Sequence, residues 1–315
     1  MLFPLVACGR LGFDGSDSPG TPGVDASSTS DGSTTDGVII PSTWAVADSP
    51  PPTTADLWAA YAFSPTDLWV AGTTGTIQHF TGSWATTTSS ATTTLFMFWG
   101  SASDLWLIGR SCAAQRWMGA SWTPTSVPGC SGNQDLMSIN GTDAANIWVS
   151  GIGGNIQQYT TVWTSRSQGN VDYWDTRVNS ATDVIAIGTQ GTIEHWNGST
   201  YTAEPSGTTQ TLAAITSPAP GEYWVVGGAG TILHKLGAGA WTAVSSPTTV
   251  FLYDVIAISP TDLWAVGSTG VILHGDGTSW VQVASPTANT LRNLEPIPGG
   301  GIMAVGTGGT LLVHP

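Results

Sequence analysis

The residues of this chain that could do chemistry fall into a repeated set and an unrepeated one. His79, His195, His234 and His274 occupy one position of a recurring phrase, where two other copies carry Arg116 and Gln158. Asp67, Asp104, Asp183 and Asp262 recur in the same way beside a turn. Imidazoles and carboxylates at fixed spacing are the groups that metal centres and proton relays use. A metal needs ligand atoms about 2 Å away, yet packed sheets stand about 10 Å apart. One imidazole per repeat therefore does not converge on one ion, and the histidines are read as bridges between polar groups of neighbouring sheets. The aspartates are read as acceptors for turn amides. The unrepeated set is different: Asp172, Asp175, Arg177, Asp254, Arg292 and Glu295 interrupt segments that are apolar in other copies, such as LFMFW at 95–99. Carboxylates and guanidinium groups beside Tyr61, Trp99 and Trp174 could hold a polar ligand or run acid–base chemistry.

The elements that must position these residues follow from the repeat. DLWVAGTTGTIQHFTGSW at 67–84 returns as DVIAIGTQGTIEHWNGSTY at 183–201 and DLWAVGSTGVILHGDGTSW at 262–280. An apolar anchor ahead of the turn falls at Trp69, Trp106, Trp148, Ile185, Trp224, Trp264 and Met303, in steps of 37, 42, 37, 39, 40 and 39 residues. Such steps suit four-stranded propeller blades. A second aromatic marker falls at Trp84, Trp122, Trp163, Tyr201, Trp241 and Trp280. Its seventh copy is at the other end, where PSTWAVADSP around Trp44 matches GAWTAVSSP at 239–247. An all-β, seven-bladed propeller of four-stranded antiparallel blades is predicted, closed by an N-terminal strand that removes both open edges.

Within the first repeat four strands are expected at 57–64, 67–72, 76–81 and 83 to about 88. Period-two alternation in Leu68 and Val70, then Ile77 and His79, supports strands rather than helices. Gly72 and Gly75 are expected to take the positive φ of a tight hairpin. The innermost strands would line a central channel, so the unrepeated charges are expected to share one cavity there. With a net charge of −14 and only seven Lys and Arg, the chain has no basic stripe for nucleic acid. Cys112 and Cys130 lie in connections on one face of the ring, so a disulfide between them is expected, with two buried free thiols as the alternative.

MLFPLVACGRLGFD resembles a bacterial lipoprotein leader, with Leu5, Val6, Ala7 and Cys8 as the lipobox. The resemblance implies lipidation of Cys8 and anchoring in a Gram-negative envelope, most simply the outer membrane. The apolar run is short and lacks a basic n-region. Residues 9–42, rich in Gly, Ser, Thr and Asp, bury too little apolar surface to order themselves and read as a tether. The blade phrase resembles the seven-bladed propellers of photosystem assembly factors. Asp276, Gly277 and Trp280 are similar to the Asp-box of sialidase-type repeats, with shorter spacing. That family's arginine triad and Tyr–Glu pair find no matching arrangement among Arg110, Arg116, Arg166, Arg177 and Arg292.

The organisation expected is a leader at 1–8, a linker at 9–42 and a propeller at 43–315. The leading functional reading is a non-enzymatic, envelope-tethered binding or assembly module, monomeric, with a protein or glycan partner. It needs no cofactor or metal. A hydrolase or lyase acting in the channel, and a structural or adhesive surface protein, are the alternatives. Ligand contacts are expected at Asp172, Asp175, Arg177, Asp254, Arg292, Glu295, Tyr61, Trp99 and Trp174.

Overall fold

The computed structural model describes residues 43–315, so Cys8, the leader and the linker lie outside the described residues. Seven four-stranded antiparallel sheets follow one another, each meandering from an inner to an outer strand. The inner strands are Leu57–Ser64, Leu95–Ser101, Leu136–Asp143, Tyr173–Ser180, Leu212–Ala219, Leu252–Ser259 and Leu291–Pro296. Among the described residues the only helical elements are five three-residue 3-10 turns. In blade one the third and outer strands are shorter than expected, at Ile77–Phe80 and Trp84–Thr86.

Blade seven takes its outer strand from the other end of the chain. Ala45–Val46 pairs antiparallel with Leu311–His314, Ala45 opposite Val313 and Val46 opposite Leu312. Two residues of pairing are few, and the closure relies on Trp44 beside them. Trp44 is buried and meets the blade-six anchor Trp264 edge-on, with ring centroids 5.6 Å apart. The same edge contact joins Trp69 to Trp122, Trp106 to Trp163, and Trp224 to Trp280. The second marker of one blade thus packs on the anchor of the blade before it. The apolar interior accordingly divides into seven clusters, one per junction between blades.

The turn after each second strand is the other half of the junction. Gly72 is extended, with φ −171°, and the left-handed residues are Thr74 and Gly75. Glycine at 72 answers a contact instead: a Cβ there would lie 1.9 Å from the Asp56 carbonyl oxygen. A Cβ on Gly75 would lie 1.8 Å from the Ala91 carbonyl of the connection to blade two. In blade two the equivalent residue is Cys112, left-handed without being glycine, and it is bonded to Cys130 in the connection to blade three. The Cys112 amide still donates to the Gln134 carbonyl at 2.8 Å, as that of Gly75 does to Thr93, so the covalent bond adds to the backbone approach.

Replacing Trp44 by Ala should cost about 3–5 kcal/mol, as for other buried aromatics, whereas Val46→Thr, on the exposed face of the same strand, should be nearly neutral. Urea denaturation of both variants checks this. Equal loss in the two would mean that backbone pairing, not the indole, holds the ring shut.

Candidate functional site

Every inner strand carries a bulge after its first residue, at Leu57/Ala59, Leu95/Met97, Leu136/Ser138, Tyr173/Asp175, Leu212/Ala214, Leu252/Asp254 and Leu291/Asn293. A bulge leaves one residue out of the ladder and re-aims its side chain. The residues so displaced are Trp58, Phe96, Met137, Trp174, Ala213, Tyr253 and Arg292. All seven line one cavity of about 50 Å³ at the channel mouth, on the face of the blade-to-blade connections. Trp58 meets Phe96 edge-on at 5.1 Å, and Phe251 bridges Trp174 and Tyr253. The Arg292 guanidinium carbon sits 3.7 Å from the Trp58 ring centroid and 5.1 Å from that of Tyr253.

The next residue of each strand forms a waist, and its chemistry answers a backbone problem. An innermost strand has no neighbour on its channel side, and an amide buried there without an acceptor costs about 1–3 kcal/mol. Asn293 Oδ1 accepts from the Ala60 amide at 2.9 Å, Ser138 Oγ from Thr176 at 3.2 Å, Asp175 Oδ2 from Ile215 at 3.0 Å and Asp254 Oδ2 from Leu294 at 2.8 Å. Met97 Sδ faces the Ile139 amide at 3.4 Å. In each case a waist side chain caps the following blade, and blade seven caps blade one. Asp175 also accepts from Ser138 Oγ and Thr176 N, and Asp254 from Asn293 Nδ2 and Val255 N. These carboxylates are stitches between inner edges.

The expected common cavity is therefore divided. Met97, Asp175 and Asn293 line both the mouth cavity and a second one of about 40 Å³ beyond the waist. The far cavity is lined by Tyr61, Trp99 and Glu295. Tyr61 donates its hydroxyl to the Gly100 carbonyl at 2.8 Å, and Glu295 accepts from the Ala62 amide at 3.4 Å. Arg177 holds the same strand position as these three, each opposite its blade's anchor residue. Arg292, Trp174 and Asp254 lie on the mouth side. Asp172 is not in the channel. It precedes the inner strand and accepts from the Gly153 amide in the blade-three turn at 2.9 Å, as Asp135 does for Ser111 and Asp56 for Gly308.

The repeated histidines and aspartates pair with each other inside one blade, not between blades. His79 Nε2 lies 2.7 Å from Asp67, His195 2.7 Å from Asp183, and His274 3.0 Å from Asp262. His234 pairs with Glu222 at 3.1 Å, Arg116 with Asp104 at 2.6 Å, and Gln158 with Asn146 at 3.2 Å. The anchor indole stacks on the paired base at Trp69–His79, and its N–H joins the same acid at Trp264–Asp262. Blade four has Ile185 where five blades have Trp, and a charged network crosses its junction with blade five. Glu204 accepts from Lys235 Nζ at 2.6 Å and from Trp241 Nε1 at 2.7 Å, and lies 3.2 Å from His195 Nδ1. Burial alone would push the Glu204 carboxyl up, but these donors hold it down to about 2. Asp183 and then Glu204 hold His195 protonated, with its pKa raised to about 9 against the cost of burial.

No protein-family model and no curated protein sequence matches the chain. Solved structures do. The chain is similar to YCF48 from Cyanidioschyzon merolae, with a TM-score of 0.71 and 18% identity over 87% of this chain and 99% of that one. It is also similar to YCF48 bound to D1 peptide, with a TM-score of 0.72 and 16% identity over 88% and 98% of the two chains. The WD40 propeller domain of Doa1 matches at a TM-score of 0.74 and 13% identity over 86% and 96%. At these identities the likeness is one of fold.

Two outcomes follow from the stitches and the network. Asp254→Ala strands two backbone amides and the Asn293 side chain, so chemical denaturation should show a loss of about 3 kcal/mol or more, with Asp254→Asn costing less. For His195, a folded pKa above its ordinary value means that its stabilisation is complete below about pH 6.5 and fades as pH rises toward about 9. The melting temperature of the protein should fall relative to His195→Gln across that window, and parallel profiles would reject the coupling.

Proposed function

We propose that this chain is a non-enzymatic binding module for a protein partner, held at the cell envelope by a lipid on Cys8, with the aromatic mouth as its contact surface. The observation that carries the reading is the set of seven bulges. They gather Trp58, Phe96, Met137, Trp174, Tyr253 and Arg292 at one opening over a cavity of only about 50 Å³. Trp, Tyr and Arg are the side chains that dominate protein-binding hot spots, and a dish of this kind accepts a protruding group better than it encloses a substrate. The acids that a channel hydrolase or lyase would employ, Asp175 and Asp254, already accept from main-chain amides. A YCF48 propeller of the same fold has been solved with a peptide bound, which supports a polypeptide partner. The lipobox resemblance and the segment at 9–42 support a tether that sets the propeller away from a membrane.

The full chain used as bait in envelope extracts should retain a specific protein. Trp174→Ala should weaken that capture about tenfold or more, while Val162→Ala, away from the mouth, should not. Retention of glycan alone, or unchanged capture by the Trp174 variant, would contradict the assignment of the mouth to a protein. Cys8→Ser, expressed with a complete leader, should move the protein from membrane to soluble fractions, and unaltered fractionation would rule out the anchor.

A further inference from the structure

We infer that the mouth around Arg292 is a receptor for a single carboxylate carried beside an apolar group. This rests on the reading of the mouth as the contact surface and adds the chemistry that the surface selects. Three other cations have acidic partners, Arg110 with Asp135, Arg116 with Asp104 and Lys235 with Glu204, and Arg166 donates to the Gln158 side-chain carbonyl. Arg292 has two aromatic faces instead, and among the described residues its Nε is buried without an acceptor. The Nε1 of Trp58, on the same mouth, is likewise buried without one. Five other indoles, of Trp44, Trp99, Trp106, Trp122 and Trp280, are in the same state, so the weight falls on the guanidinium, a charged donor whose burial without an acceptor wants an explanation.

The arrangement specifies the acceptor. Trp58 and Tyr253 cover the guanidinium with π faces, which leaves its in-plane N–H groups for a planar, two-oxygen acceptor. Arg292 is the one cation lining the cavity, in a chain with net charge −14. One positive charge matches a monoanion better than a phosphate dianion. The cavity of about 50 Å³ admits a head group of one or two water volumes, each about 30 Å³. Whatever bears the carboxylate must lie above it, against Phe96, Trp174 and Met137, so the neighbouring group is apolar. The acids at the floor, Asp175 and Asp254, are held by amide donors of the waist, which offset their repulsion. On a polypeptide, an acidic side chain next to an aromatic one has this form.

The full-length protein, labelled with 15N in its indoles, should be titrated with 3-phenylpropionate, 3-phenylpropionamide and inorganic phosphate. The Trp58 indole N–H resonance, assigned with Trp58→Phe, is the readout. A saturable shift with the acid, at least tenfold weaker binding of the amide and phosphate, and at least a tenfold loss in Arg292→Met are expected. Arg292→Lys, which keeps charge but not the fork, should fall between and serves if the Met variant does not fold. No saturable shift, equal binding of acid and amide, equal binding of acid and phosphate, or undiminished affinity in the folded variants would each overturn the inference. Partner capture that survives Arg292→Met would leave the protein-binding reading standing while the carboxylate site falls. Absence of any captured partner beside intact acid binding would do the reverse.

Discussion

A closed ring of sheets leaves the inner edge of every sheet facing a channel too narrow to hydrate it, and the rest of this structure depends on how those edges are capped. The solution is directional. A side chain at the waist of one blade accepts from the amide of the next, as Asp254 does for Leu294 and Asn293 for Ala60. Where the waist residue is Ala214, blade six supplies its own acceptor, and Asp254 Oδ1 takes the Val255 amide. Charge in the innermost strands is therefore largely a response to unpaired backbone. Burying a carboxylate is tolerable because several main-chain donors converge on it.

The same economy of one junction used seven times governs the outer parts. An anchor ring, the base stacked on it and the marker indole of the next blade make a small apolar core, sealed by a turn packed against the following connection. Variations keep the function of each part. Cys112–Cys130 adds a covalent bond at a joint where the counterpart is glycine, and the Glu204 network occupies the junction whose anchor is Ile185. Gly309, whose Cβ would lie 2.0 Å from the Thr53 carbonyl, makes the closing junction with the same contact as the other blades.

A mouth ring and a waist ring one residue apart have opposite duties because a bulge separates them. The bulged residues line the mouth and are free of the ladder, so aromatics there do not disturb the sheet. Those behind the bulge are tied into the closure. The proposed contact surface and the closure thereby fall on adjacent residues, Arg292 and Asn293 being the clearest pair.

The sequence by itself determined the number of blades, the strand order and the closure through Trp44, because anchors and markers recur at a spacing that only a ring of similar sheets can satisfy. It also argued that a histidine copied once per blade does not converge on one ion, but it placed the histidines between blades and the aspartates on turn amides, whereas each pairs within its own blade, as His79 does with Asp67. Only the tertiary structure decided what the unrepeated charges do. Asp172 and Asp175 stand three residues apart and look alike in sequence, yet one caps a turn on the face and the other an amide in the channel. Their partners, Gly153 and Ile215, come from different blades, and no local pattern encodes which donor a carboxylate will meet. The mouth ring was hidden for a related reason. A bulge shifts the period-two alternation by one, so Trp58, Tyr253 and Arg292 read as ordinary strand positions until the register is known.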